Sequence, residues 1–120
     1  MIPKPKRRPK KSRPPNPLKV QRIVDPAAIE AARKPCSEIS GEPTYGAAPH
    51  HIYPVGSGGP DHRFNLIQTT GYEHIKCHNG EYDKEFLLTI VAEREGVTVD
   101  YVITTINNIR RGIHGTDYDS

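Results

Sequence analysis

The part of the sequence that decides the fold is residues 50–78, which read HHIYPVGSGGPDHRFNLIQTTGYEHIKCH. Five of the chain's six histidines lie in this stretch. His74 and His78 stand four residues apart, so on a helix their rings project from one face and can share a metal ion. His50 and His51 are adjacent on an extended segment, so their rings point to opposite sides. One of that pair can join the metal, while the other remains free for proton transfer.

The sequence around these histidines predicts a β-hairpin followed by a short helix. Residues 50–55 and 63–69 are expected to form two strands, because the segment between them is rich in glycine and proline and cannot be regular structure. Residues 72–78 contain no helix breaker before an Asn-Gly pair, which predicts a helix of two turns.

Three further helices are expected outside the hairpin. Asp25 and Pro26 make a good helix start, which predicts a short helix over residues 27–34. Residues 84–95 and 99–111 each end at a glycine and carry an apolar stripe at helical spacing. The stripes are Phe86, Leu87, Ile90 and Val91 in the first, and Val99, Val102, Ile103, Ile106 and Ile109 in the second.

Composition limits the class of protein. A chain of 120 residues with 34% hydrophobic residues can build one modest core. It has no apolar run of membrane-spanning length and no secretory signal, so we expect a cytoplasmic protein without a membrane partner. Two cysteines are too few for a disulfide framework.

The positive charge is concentrated at the start of the chain. The first 22 residues hold nine of the 17 Lys and Arg side chains and no acidic one, whereas the remainder holds eight basic and 14 acidic side chains. Six of the twelve prolines fall in residues 3–17, so we expect residues 1–18 to be disordered. Such a segment serves solvation, nuclear import or binding to nucleic-acid phosphate. The candidates for phosphate contacts are Lys6, Arg7, Arg8, Lys10 and Lys11.

The central stretch resembles the HNH endonuclease motif of the ββα-metal superfamily. The resemblance rests on the His-His pair, on Pro54, on Gly58-Gly59, on Asn65-Leu66, and on the later histidines four residues apart. Each element alone is a weak signal, but all of them occur in order and at similar spacing. The similarity covers residues 37–80, about a third of the chain.

The resemblance implies a role for each matching residue. His50 corresponds to the metal ligand that opens the motif, His74 to the second ligand, and His78 to a third ligand in some members. His51 corresponds to the general base that activates water, and Asn65 to the residue whose amide braces the loop. Such enzymes cut nucleic acid, mostly DNA, with one divalent cation, so we expect DNA as the partner and Mg²⁺, Mn²⁺, Zn²⁺ or Ni²⁺ as the cofactor. A homodimer is expected if both strands are cut.

The sequence departs from the family pattern at a structural zinc site. Many HNH proteins carry two Cys-x-x-Cys pairs there, but the corresponding residues here are Ser37, Ser40, Thr70 and Glu73. We therefore expect no structural zinc, and we expect the two C-terminal helices to stabilise the hairpin instead. Cys36 and Cys77 are out of register with the missing ligands and are expected to be idle thiols.

Several other residues have more than one interpretation. Arg63 and Lys76 flank the motif and are candidates for contacts with the scissile phosphate or are ordinary surface charges. His62 is expected to be a solvent-exposed loop residue, with contact to phosphate as the alternative, and His114 is expected to be uninvolved. Residues 92–102 are similar to the turn of a helix-turn-helix DNA-binding motif. However, Glu95 occupies a position that is usually apolar in that turn, and Asp100 would repel phosphate, so a helical hairpin packed on the nuclease unit is the favoured alternative.

Together these observations predict a small α+β protein with a ββα-metal hairpin-plus-helix unit. The expected parts are a basic arm (1–22), the HNH unit with a leading helix (23–82) and a helical pair (83–120). The expected function is a metal-dependent HNH endonuclease that hydrolyses DNA phosphodiester bonds. The alternatives are a DNA-binding protein with a helix-turn-helix-like C-terminus and a structural metal site, and a degraded nuclease kept as a scaffold.

Overall fold

The computed structural model describes residues 22–112, which form four helices and one two-stranded antiparallel sheet. The elements are α1 (Pro26–Ala32), β1 (His50–His51), β2 (Leu66–Ile67), α2 (Gly71–His78), α3 (Lys84–Glu95) and α4 (Val99–Arg110). The predicted α+β architecture is confirmed. The predicted contacts of Lys6, Arg7, Arg8, Lys10 and Lys11 with phosphate, and the prediction for His114, lie outside the described residues.

No helix between residues 22 and 112 combines the length and the apolar character that a membrane crossing requires.

The hairpin pairs His50 with Ile67 and His51 with Leu66. The predicted strands 50–55 and 63–69 are wrong in extent, because pairing stops after two residues in each. The N–H of Tyr53 donates to the side chain of Asn65 at 2.7 Å instead of to a strand partner. Single 3-10 turns occupy Val55–Ser57 and Arg63–Asn65, so the chain between the strands is a compact loop.

The leading helix begins as predicted and ends early. The Asp25 carboxylate caps α1 by accepting hydrogen bonds from two N–H groups of its first turn. The predicted end at Lys34 is wrong, because α1 stops at Ala32. The N–H of Lys34 donates to the Gln68 side chain at 3.1 Å, and a residue that precedes proline disfavours helical backbone.

The helix α2 carries two of the histidines, and its predicted position is confirmed. It begins with a capping box in which the Glu73 N–H donates to the Thr70 hydroxyl and the Thr70 N–H donates to the Glu73 carboxylate. Because Thr70 lies three residues after β2, this cap fixes the direction in which α2 leaves the hairpin.

The helices α3 and α4 pack on the hairpin, as predicted. The shared core consists of Ile52, Tyr53, Phe64, Ile67, Leu87, Leu88, Val91, Ala92, Val102 and Ile106. Burial of each of these aliphatic side chains contributes about 1.5–3 kcal/mol to the free energy of unfolding. A two-stranded hairpin alone is at best marginally stable, so the hairpin depends on this core. One predicted stripe residue is misplaced, since Phe86 is exposed and stacks on Tyr82 while Leu88 is buried.

The four positions that lack zinc-ligand cysteines meet around one buried carboxylate. Ser37 donates a hydrogen bond to Glu73, and Ser40 and Thr70 also bond to it. Burial opposes ionisation of Glu73, but these hydrogen bonds outweigh it and lower its pKa. The cluster therefore joins the segment before β1 to the start of α2.

We predict that Gly59→Ala destabilises the protein by about 2–3 kcal/mol, because a Cβ at this position would lie 1.8 Å from the Tyr53 carbonyl oxygen. The control is Gly56→Ala, where no atom lies within 4 Å of the added Cβ. Urea unfolding of both variants provides the measurement. Equal stabilities would contradict this account of the loop.

Candidate metal centre

Three histidine rings converge in a cleft between β1 and α2. His50 comes from the strand, and His74 and His78 come from successive turns of the helix. The ring centroids of His50 lie 4.8 Å from His74 and 5.5 Å from His78, and the two helical rings are 4.5 Å apart. One potential ligand atom of each lies within 4.8 Å of the others. The structure thus brings together the three predicted ligands.

The spacing of these rings fits a single divalent ion. The Nε2 atoms of His74 and His78 are 2.8 Å apart, at hydrogen-bond distance. Two nitrogens on one tetrahedral ion lie about 3.4 Å apart, given metal–nitrogen bonds of about 2.0–2.1 Å. Small side-chain rotations therefore suffice for both rings to bind an ion together with His50. Three ligands leave at least one coordination position for water or substrate.

The environment keeps the cluster in the form that binds metal. Burial and, to a smaller extent, the neighbouring imidazoles together lower the pKa of His50 to about 4. Burial also lowers the pKa of His74, with a smaller contribution from His78. Because only the neutral imidazole is a metal ligand, both rings are available at neutral pH.

His51 contacts a buried carboxylate, whereas the neighbouring His50 contacts the two helical histidines. The Nε2 of His51 lies 2.7 Å from Oδ1 of Asp61. Burial opposes ionisation of Asp61, but hydrogen bonds from His51, the Asp25 N–H and Arg22 outweigh it and lower its pKa. An ionised carboxylate only accepts hydrogen bonds, so Nε2 of His51 carries the proton of this contact, and in the neutral ring the free lone pair is then on Nδ1.

The two kinds of histidine share one cleft. His51 and the three-histidine cluster line the same cavity of about 500 Å³. The histidine that pairs with Asp61 and the three potential metal ligands therefore border one ligand-sized space.

Asn65 holds the loop between the strands in shape. Its side chain is fully buried, accepts the Tyr53 N–H at 2.7 Å, and donates to the carbonyls of Tyr53 at 3.1 Å and Pro60 at 3.0 Å. His51 lies two residues before Tyr53, and Asp61 follows Pro60. The Asn65 amide thus sets the positions of both members of the His51–Asp61 pair.

Arg22, the last residue of the predicted basic arm, contacts the loop of the hairpin. Its guanidinium lies 2.7 Å from the Asp61 carboxylate and 3.2 Å from the carbonyl of Gly59. A buried carboxylate needs such a partner to remain ionised.

The two basic residues predicted to flank the site lie elsewhere. Arg63 pairs with Glu95 at 2.7 Å. Lys76 lies over the rings of Tyr72 and Tyr82, and 3.9 Å from Glu81. In the described part of the chain, neither lines the histidine cleft.

The remaining candidates have structural contacts. His62 accepts the Phe64 N–H at 3.0 Å and packs against that ring. Cys36 is exposed, and Cys77 is half-buried beside the cleft, where burial raises the pKa of its thiol.

The sequence did not predict the roles of two residues of the site. Asp61, which contacts His51, is the acidic residue after a Gly-Gly-Pro turn, and nothing in the spacing points to that contact. Lys84 lines the histidine cleft, with its Nζ 4.5 Å from the centroid of the Tyr53 ring. Its position as the first residue of a helix was predictable, but the direction of that helix was not.

Comparison with known proteins gives one short match. A segment of 33 residues is 52% identical to the "Uncharacterized 38.5 kDa protein in psbA intron 1" of Chlamydomonas moewusii. The segment is 28% of this chain, and it spans only 10% of that protein. No family model and no solved structure matches the sequence.

We predict that the metal-free protein loses stability as the pH falls from about 6.5 towards 4. In this window the unfolded chain binds a proton at His50 that the folded chain does not, so acid favours unfolding. Urea unfolding with EDTA should show that the stability difference between wild type and His50→Gln shrinks on acidification. A difference independent of pH would rule out a buried neutral His50.

We predict that His74→Ala weakens Zn²⁺ binding by more than about 100-fold. Loss of a residue that only hydrogen-bonds to a metal ligand already lowers metal affinity by about 10–100-fold, and loss of the ligand itself should cost more. Isothermal titration calorimetry of the full chain measures this affinity. His62→Ala is the control and should bind like wild type. Normal binding by His74→Ala would remove His74 from the ligand set.

Proposed function

We propose that this protein is a metal-dependent endonuclease of the HNH type that hydrolyses phosphodiester bonds in DNA. The observation that carries the proposal is the single cleft lined by three converging imidazoles and by a fourth imidazole held by a carboxylate. Such a pairing of a metal site with a proton acceptor is what hydrolysis of a phosphodiester requires.

His50, His74 and His78 would hold the divalent ion. When bound, the ion supplies a Lewis acid that polarises a phosphate oxygen and stabilises charge on the leaving oxygen. Three neutral nitrogen ligands suit Zn²⁺ or Ni²⁺, and also Mn²⁺, better than Mg²⁺, which prefers oxygen ligands.

His51 acts as the general base. Its Nδ1 takes a proton from water as the water oxygen bonds to phosphorus and the bond from phosphorus to the 3′-oxygen breaks. Asp61 accepts the Nε2–H, keeps the ring in the required tautomer and stabilises the imidazolium that forms. The proton then leaves to solvent or to the 3′-oxygen. One such cleft per chain makes a single-strand nick the natural product, and a homodimer would cut both strands.

The proposal rests on the site and on the sequence motif, because the matching protein is described only as an uncharacterized protein in psbA intron 1. This chain resembles HNH enzymes through the His50-His51 pair, through Asn65, and through His74 and His78, which stand four residues apart.

The non-catalytic alternative receives less support from the described contacts. A helix-turn-helix reader would hold α4 in the major groove of DNA, but the C-terminal end of α4 lies against the hairpin loop, where Arg110 donates to the Ser57 carbonyl at 2.7 Å. The helix α4 is therefore packed on the loop of the hairpin, which is the arrangement of a supporting helical pair.

Cleavage of supercoiled plasmid tests the proposal. We expect nicked product with Mn²⁺, Ni²⁺, Zn²⁺ or Mg²⁺ and none with EDTA. His51→Ala should lower the rate by about 10²–10⁴-fold, because general-base catalysis contributes that much, and should leave metal affinity unchanged. His62→Ala is the matched control and should cut like wild type.

Two outcomes would refute the assignment. A wild-type protein that cuts with none of these ions is not a nuclease, and binding without cutting would establish the DNA-binding alternative. Full activity in His51→Ala would show that another group takes the proton.

A further inference from the structure

Two cations without acidic partners contact Tyr53, and one of them, Lys84, lines the histidine cleft. Among residues 22–112, neither Lys84 nor Arg110 has a carboxylate within 4.0 Å, whereas Arg63, Lys76 and Arg94 each do. The chain after residue 22 has an excess of acidic side chains, with 14 against eight basic ones. Most of the described basic side chains are therefore paired, and Lys84 and Arg110 are free to bind an anion.

Both cations contact the ring of Tyr53. Lys84 Nζ lies 4.5 Å, and Arg110 Cζ 5.2 Å, from its centroid, both within the range of cation–π attraction. Arg110 uses Nη2 to donate to Ser57 O and Nη1 to donate to Asn107 Oδ1. A guanidinium has five N–H donors, so others remain for an anion.

The position of this pair relative to the histidines is fixed. Tyr53 follows His51 by two residues, and the Asn65 amide binds both its N–H and its carbonyl. Lys84 lines the histidine cleft directly, and the neighbouring Asp83 carboxylate accepts the Phe86 N–H. An anion bound by Lys84 would therefore adjoin the three-histidine site, and Arg110 contacts the same tyrosine ring as Lys84.

We propose that Lys84 and Arg110 form a phosphate-binding surface that holds the DNA backbone beside the histidine cleft. The choice of DNA as the polyanion rests on the proposed function. Binding through this surface requires neither metal nor cleavage, so it can be measured separately.

The test is binding of the full chain to a short fluorescent DNA duplex in EDTA, at a series of salt concentrations. Each phosphate contact contributes about 0.9 to the slope of log affinity against log salt. We expect Lys84→Gln to reduce the slope by about 0.9 and the double variant with Arg110→Gln by about 1.8. Lys84→Arg keeps the charge and should retain the slope.

Arg33→Gln is the matched control, because it removes the same charge from an exposed residue paired with Glu30. It should leave the slope unchanged. Thermal melting of each variant checks the fold, and the exposed Lys84 provides the test even if Arg110→Gln unfolds.

The outcomes separate this proposal from the nuclease assignment. A slope that Lys84→Gln leaves unchanged, or that Arg33→Gln lowers equally, overturns the surface, whether or not the protein cuts plasmid. A slope that Lys84→Gln reduces and Arg33→Gln does not supports the surface, even if the protein cuts plasmid with none of the metal ions. Absence of any DNA binding by wild type overturns the surface.

Discussion

The buried amide of Asn65 is the constraint on which the rest of the site depends. It closes the loop between the two short strands through three hydrogen bonds to backbone groups of Tyr53 and Pro60. His51 and Asp61 each lie within two residues of those groups, so their contact depends on this closure. Gly59 allows it, since any side chain there would meet the Tyr53 backbone. A buried amide that lost its partners would cost about 1–3 kcal/mol for each group left unpaired.

Different residues provide the stability of the fold and the chemistry of the site. The helical pair supplies the core under the hairpin, and the Glu73 cluster joins α2 to the segment before β1. Because that stability comes from elsewhere, the site can hold groups that do not themselves stabilise the fold, such as the imidazole of His50 buried among other imidazoles and the buried Asp61 carboxylate. Burial of His50 favours its neutral form in the absence of an ion and makes it a ready ligand.

Local sequence patterns predicted the parts of the site that depend on local geometry. The spacing of His74 and His78 placed both on one helix face, and the adjacency of His50 and His51 separated their directions. Other features depend on how the loop folds back: the extent of the strands, the contact between His51 and Asp61, and the position of Lys84. That path is set by hydrogen bonds of Asn65 across 12 residues, which no periodicity reveals.

The coordination of a bound ion tests the central claim most directly. X-ray absorption spectroscopy on the full chain with one equivalent of Zn²⁺ should show three imidazole nitrogens at about 2.0–2.1 Å, with the remaining ligands oxygen. Fewer than three imidazoles, or a sulfur at about 2.3 Å from the nearby Cys77, would contradict a three-histidine centre with an open position.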